Sequence, residues 1–378
     1  MADADLPGRS APGLPLPDQV ALVLQGGGAL GAYQVGVFGA LDAARIEIDW
    51  VAGISIGAVN AAIIAGNPPD RRLGRLHDFW DAVTRALPAL AIFDGSYGRE
   101  AVHETSAMMV AAFGVPGFFQ PRFLAPWFAA PGSPGALSFY DSAPLAATLD
   151  ELIDWDLLND GPVRLSVGAV ELESGNFRYF DNRTDRIDAR HIMASGALPP
   201  GLPPIEIEGR LWWDGGLVSN TPLGHVVDNQ SGDMLVFQVD LFPAAAERPQ
   251  TMLDVIAREK EIRYSSRTRQ VSNELIRRRQ EHQQVARLLD KLPADMADDP
   301  DVVELRARTR DSSLSLVQLI YRANAWEGGS RDYEFSQRTM RDHIAAGRAA
   351  IDATMTRSGL IARNIYDGST AAFDLVPR

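Results

Sequence analysis

Apolar residues in the first third of the chain fall into short runs broken by glycine turns. Ala21-Leu-Val-Leu24 is a compact apolar strand that runs into Gln25-Gly-Gly-Gly28. Residues 29–44 then carry apolar positions at helical spacing. A second strand is predicted over Ile46–Ile54, and it enters Gly53-Ile-Ser-Ile-Gly57. Ala58–Ala65 reads as a small-residue helix closed by Gly66. Strand, glycine turn, helix, repeated once, is the pattern of an α/β fold with a mainly parallel sheet.

The pattern changes at 105–145, where aromatics, Pro and Gly show little regular period, and an irregular cap is expected. Period-two alternation returns at 163–170 and 176–181, joined by a hairpin-like turn. Further strands are expected over 205–213, which ends in Trp212-Trp213, over Met234–Phe242 and over Leu314–Tyr321. Residues 251–292 predict a long charged helix or helix pair, and 293–301 a linker. Met340, Ile344, Gly347, Ile351 and Met355 keep one seam of a last amphipathic helix.

Composition narrows the chemistry. The chain has no Cys, which removes disulfides, thiol nucleophiles and Cys-ligated metals. Its six His, at 77, 103, 191, 225, 282 and 343, include no pair at helical i, i+4 spacing, so no metal site is expected. A net charge of −13 argues against nucleic acid as a partner. Between 254 and 291, however, ten Lys/Arg face six Asp/Glu. Such a mix usually makes a solvated helix face with i, i+4 pairs, and anionic lipid is the alternative partner. Residues 1–17 hold no apolar run suited to an export signal and read as a disordered tail. No 18-residue apolar stretch follows, and a cytoplasmic protein is expected.

The two glycine turns carry the candidate chemistry. Gly26-x-Gly28-x-x-Gly31 follows a strand and opens a helix, with Asp49 about twenty residues on, which is also the dinucleotide pattern. Gly53-x-Ser55-x-Gly57, between a strand and a helix, is a nucleophile elbow pattern. Read together, the first turn would present the amides of Gly27, Gly28 and Ala29 to the oxyanion formed when Ser55 attacks an acyl group. A base is then needed. The histidines lie in helical or structural contexts, whereas Asp214 in Trp212-Trp213-Asp214-Gly215-Gly216 follows a strand and precedes a glycine turn. A carboxylate there has to be partly buried to work as a base near neutral pH.

In that order, GGGALG at 26–31, GISIG at 53–57 and DGG at 214–216 resemble the three signatures of the patatin-like phospholipase family. ASGALPPGLPP at 194–204 resembles the segment before the aspartate turn. The resemblance covers 20–245 and extends toward 356, with the 251–310 helices resembling an elaboration of bacterial members. It implies a three-layer α/β/α hydrolase with a Ser55–Asp214 dyad that cleaves lipid acyl esters through an acyl-enzyme, with no metal and no cofactor. The implied division is a tail at 1–17, a catalytic core at 18–245, a helical region at 246–362 that adds a late strand and helix, and a tail at 363–378. Leu30 stands where many members carry Arg or Lys, and the backbone donors do not depend on that side chain. The competing readings are a non-catalytic lipid- or storage-granule-binding protein and a dinucleotide-dependent oxidoreductase. Phe113, Phe118, Phe119, Phe123, Trp127 and Phe128 predict shallow, reversible contact with a membrane or granule surface, or an acyl channel.

Overall fold

A computed structural model describes residues 10–11, 14–85, 96–246, 248–309, 312–322, 327 and 331–376. Most of the N-terminal tail therefore lies outside the described residues. In chain order the first elements are β1 (Ser10–Ala11), β2 (Leu14–Pro15), β3 (Gln19–Leu24), α1 (Ala32–Ala43), β4 (Trp50–Gly53), α2 (Ile56–Ala65), α3 (Pro69–Thr84) and α4 (Ser96–Phe113). The middle of the chain forms β5 (Gln120–Pro121), β6 (Tyr140–Asp141), α5 (Ala143–Leu152), α6 (Trp155–Asp160), β7 (Arg164–Glu171), β8 (Phe177–Asp181) and α7 (Ala189–Ser195). Then come β9 (Ile205–Ile207), β10 (Arg210–Asp214), α8 (Leu223–Asp228), β11 (Met234–Asp240) and α9 (Met252–Leu289). The chain closes with α10 (Pro300–Arg308), β12 (Leu314–Ile320), α11 (Gln337–Met355), α12 (Ser358–Tyr366) and β13 (Thr370–Phe373).

Nine strands make one sheet in the order β13-β12-β11-β3-β4-β7-β10-β9, with β8 also paired to β7. The run from β13 to β7 is parallel, and β8, β9 and β10 pair antiparallel. Period-two alternation sorts side chains to the two faces. Val20, Leu22 and Leu24 of β3 join the larger core with α1, α2, α3 and α11, while Ala21 and Val23 join Leu223 and Val226 of α8 and Leu275 of α9 on the other face. The result is the expected three-layer α/β/α arrangement. Among the described residues no helix is long and apolar enough to cross a membrane.

Several elements differ from expectation. The strand over 46–54 starts only at Trp50. The expected strand over 205–213 is a hairpin, because Glu208 and Gly209 both take positive φ (52° and 76°) and reverse the chain between β9 and β10. Helix α4 covers the first part of the expected irregular cap and ends at Gly114, whose φ of 76° stops it. The 293–301 segment includes the start of α10, where the Asp299 side chain accepts the Asp301 N–H at 2.9 Å.

Neither end behaves wholly as a tail. Leu14 and Leu16 are buried in the larger core, with β2 against α12. In the expected tail at 363–378, α12 finishes and β13 adds a parallel edge strand beside β12. Four residues of Thr-Ala-Ala-Phe are too few to display a period.

The 38-residue α9 does carry the ion pairs of a solvated face, Arg263 with Glu259 and Arg277 with Glu274 and Glu281.

Candidate active site

Ser55 is the pivot between β4 and α2. It caps the helix with φ 55° and ψ −125°, a conformation that costs a non-glycine residue on the order of 1–3 kcal/mol and is sustained by its surroundings. Its N–H donates to both the carbonyl and Oγ of Ser195 at 3.1 Å, and Ser195 Oγ–H donates to the Gly168 carbonyl of β7 at 2.7 Å. The flanking glycines are required by close approach. A Cβ on Gly53 would run into the Gly57 carbonyl, and one on Gly57 into the Leu24 carbonyl. Every residue of α2 is buried, and Ser55 alone in 51–60 keeps some exposure.

Sheet register brings Asp214 to the same level. β8 occupies one edge of β7, so β4 and β10 share the other. Gly53 pairs with Val167, and Asp214 pairs with Ala169 two residues further along β7. Ser55, two residues past Gly53, therefore stands beside Asp214, where its hydroxyl favours the ionised carboxyl group. The Gly216 N–H donates to Asp214 Oδ1 at 2.7 Å, and the Asp214 N–H donates to the Ala197 carbonyl at 3.0 Å. Asp214 is 2% exposed. Burial pushes its pKa up to about 7, against the lowering pull of the Gly216 amide and the Ser55 hydroxyl.

The first glycine turn lies against the elbow. A Cβ on Gly26 would approach Ser55 Cβ to 2.9 Å. Residues 28–31 form one 3-10 turn whose first internal bond runs from the Leu30 N–H to the Gly27 carbonyl, so the amides of Gly27, Gly28 and Ala29 open it. Gly28 needs its φ of 54°, and a Cβ there would collide with the Asp332 carbonyl. Strained hydroxyl, buried carboxyl of raised pKa and opening amides are the three parts that acyl transfer needs in one place.

A family model described as patatin-like phospholipase matches residues 22–227, more than half of the 378 residues. The chain belongs to the patatin-like phospholipase family. A second model, described as patatin phospholipase, matches 262–364. Lysophospholipase nte1 of Aspergillus terreus is 27% identical over 243 residues, 61% of this chain and 12% of that protein. Its counterpart in Aspergillus niger is 26% identical over 250 residues, 63% of this chain and 13% of that protein. This chain thus spans about an eighth of the length of these curated relatives. Among solved structures, VipD from Legionella pneumophila aligns at a TM-score of 0.43 and 13% identity, covering 99% of this chain and 77% of that one.

The patatin-like motifs do not include all the residues that hold the site. Asn220 was not anticipated. Its Nδ2–H donates to the Gly26 carbonyl at 2.9 Å and its own carbonyl accepts the Gly26 N–H at 3.2 Å, clamping the glycine turn to the aspartate turn. A relay of buried amides steadies both ends of that turn. Gln34 Nε2–H donates to the Gln25 carbonyl at 2.7 Å, while Asn60 Nδ2–H donates to Gln34 Oε1 at 2.8 Å and to the Gly31 carbonyl at 3.0 Å. Trp80 Nε1–H donates to Asn60 Oδ1 at 3.1 Å. The available signal was a lone amide among the apolar positions of each of two helices.

Other candidates resolve differently. Asp49 accepts the Val20 N–H at 2.8 Å, at the N-terminal ends of β3 and β4 and thus at the opposite end of the sheet from the glycine turn. It is not where a ribose-binding acid of the dinucleotide pattern would stand. His191 closes the capping box of α7 with Asp188, His225 stacks on Tyr179, and His343 is buried against Tyr321. The side chain of His103 lies outside the described residues. Of the predicted surface aromatics, Phe118 and Phe119 pack against the core, whereas Phe113, Phe123, Trp127 and Phe128 are exposed.

Proposed function

We propose that the chain is a serine lipid acyl hydrolase working through a Ser55–Asp214 dyad. The observation that carries this reading is the Ser55 hydroxyl, held at a strained elbow, beside a buried carboxyl group whose pKa is pushed up to about 7. Ionised Asp214 accepts the Oγ proton as Oγ bonds to the acyl carbon, and the carbonyl electrons move onto oxygen. The opening amides of Gly27, Gly28 and Ala29 receive that oxyanion. As the tetrahedral centre collapses, the bond to the alcohol breaks and the alkoxide takes the proton from Asp214. Water then repeats the sequence on the acyl-enzyme, giving a free fatty acid and restoring Ser55.

A fluorophosphonate probe should label the protein at Ser55 and fail to label Ser55→Ala. The variant should fold normally and lose p-nitrophenyl ester hydrolysis by about 10⁴-fold or more. Labelling at another residue would move the nucleophile and end this reading.

The surface partner we propose is a lipid aggregate, met by Phe113, Phe123, Trp127 and Phe128, which are 76%, 107%, 77% and 78% exposed. The same loop joins the segment behind Ser55, with the Phe139 N–H donating to the Pro200 carbonyl at 3.1 Å and the Tyr140 N–H to the Gly201 carbonyl at 2.9 Å. Changing Phe123, Trp127 and Phe128 to Ser should abolish co-sedimentation with phospholipid vesicles and spare hydrolysis of a soluble ester. Equal pelleting of variant and wild type would refute this surface.

A further inference from the structure

Residues 331–335, far from the three motifs in sequence, reach the oxyanion turn. The Asp332 carbonyl is seated where a side chain on Gly28 would begin, and Phe335 lies over Trp80, the last member of the amide relay, at 6.4 Å between ring centroids. This strap is fastened to α9 by crossed charges. Lys260 pairs with Asp332, and Glu261 pairs with Arg331, so two consecutive residues on each side alternate in sign. Glu261 also takes Arg258 at 2.8 Å, and Arg258 reaches the Ala244 carbonyl at 2.7 Å. Lys260 Nζ stands 4.8 Å from the centre of the Tyr333 ring. Glu261, Arg331 and Asp332 are all buried. Slippage by one residue would set Lys260 against Arg331 or Glu261 against Asp332, so the pairs specify one register.

We propose that this ion-paired strap sets the placement of the oxyanion amides, with Lys260, Glu261, Arg331 and Asp332 acting as positioning residues through Gly28. The proposal rests on the hydrolase reading above. Amide donors have to lie within about 3 Å of the developing oxyanion, and displacement of a reacting group by about 1 Å costs on the order of 10²-fold in rate. The strap contacts the turn that would stabilise the transition state, so its loss should fall on kcat more than on KM.

The test is Lys260→Met and Glu261→Gln in the full chain, with p-nitrophenyl butyrate turnover and the rate of fluorophosphonate labelling as readouts. The expected result is a fall in kcat and in labelling rate of roughly 10- to 100-fold, with KM within about threefold. Lys260→Arg, which keeps the charge, should restore most of the rate, a recovery that loss of general stability would not predict. Should Glu261→Gln fail to fold, the part-exposed Lys260→Met decides. A folded Lys260→Met with kcat within twofold of wild type overturns the proposal, as does Lys260→Arg being equally impaired. Wild type that neither hydrolyses the ester nor labels at Ser55 is a different result, and it removes the hydrolase reading together with the strap's role.

Discussion

Asp214 and Asp240 are each the last residue of a strand in the same sheet, and both are buried, at 2% and 5% exposure. Burial pushes both carboxyl groups up to about 7. Their surroundings then diverge. Asp214 meets the Gly216 amide and the hydroxyl of Ser55, a residue whose backbone is strained and which keeps some exposure. Asp240 accepts from Gln238 Nε2–H at 2.7 Å, and its Oδ1 has no hydrogen-bond partner among the described residues. Alternation along β11 places it with Gln238, whose Oε1 accepts from Ser272 Oγ–H of α9 at 3.2 Å. A raised pKa alone therefore does not mark a base. What separates the two carboxylates is the hydroxyl beside one of them, on an elbow that the first glycine turn packs against.

The largest expected contrast is in turnover. Under the proposed dyad, Asp214→Asn should lower kcat on a p-nitrophenyl ester by about 10²- to 10⁴-fold, because an amide cannot take the Oγ proton. Asp240→Asn should leave kcat within about threefold, since no step of the proposed mechanism passes through it. Equal losses in the two variants would break the distinction and point to a shared structural role.

A smaller effect separates them by pH. In the proposed mechanism the Asp214 carboxyl has to be ionised to act, so kcat/KM should fall about tenfold per unit as pH drops below about 7. The same acid limb is expected for Asp240→Asn. An acid limb that disappears in Asp240→Asn would assign the controlling ionisation to the wrong aspartate.

How much of this was legible in the chain follows from how local each signal is. Gly53, Ser55 and Gly57 announce the elbow because the turn is made within five residues, and its glycines answer backbone contacts that allow no other side chain. The parallel strands were legible because β3 and β11 are apolar runs with turn residues at their ends. Asp214 was legible from the strand before it and the glycines after it. Its neighbour in the site, Ser55, lies 159 positions earlier, and only the register of β4 and β10 on one edge of β7 unites them. Asn220, Gln34 and Asn60 were not legible as site supports, since a buried amide reveals its partners only when the fold brings them together. The strap was hidden for the same reason. Arg331-Asp332 reads as surface charge until Lys260-Glu261 is set opposite it. The aromatic loop was legible in composition and not in direction, so Phe118 and Phe119, which face the core, were grouped with Phe123 and Trp127, which do not.

The smallest expected effect sharpens the same pair through stability. Each native carboxyl titrates at about 7, against a usual Asp value of 3.8. Between these values the native state holds protons that the unfolded chain has released, so stability is full at low pH and declines as pH rises through 7. A shift of this size is worth on the order of 4 kcal/mol per group, before relaxation and water entry reduce it. Asp240→Asn removes the ionisation, so its Tm should gain on wild type by roughly 2–6 °C between pH 4.5 and 8.5. Asp214→Asn should gain by a similar amount, because its carboxyl is pushed up to the same value by the same cause, burial. Differential scanning fluorimetry across that pH range reads both variants against wild type. Tm curves for Asp240→Asn and wild type that run parallel would show that Asp240 ionises in the native state as freely as in the unfolded chain, and the likeness of the two aspartates would be lost.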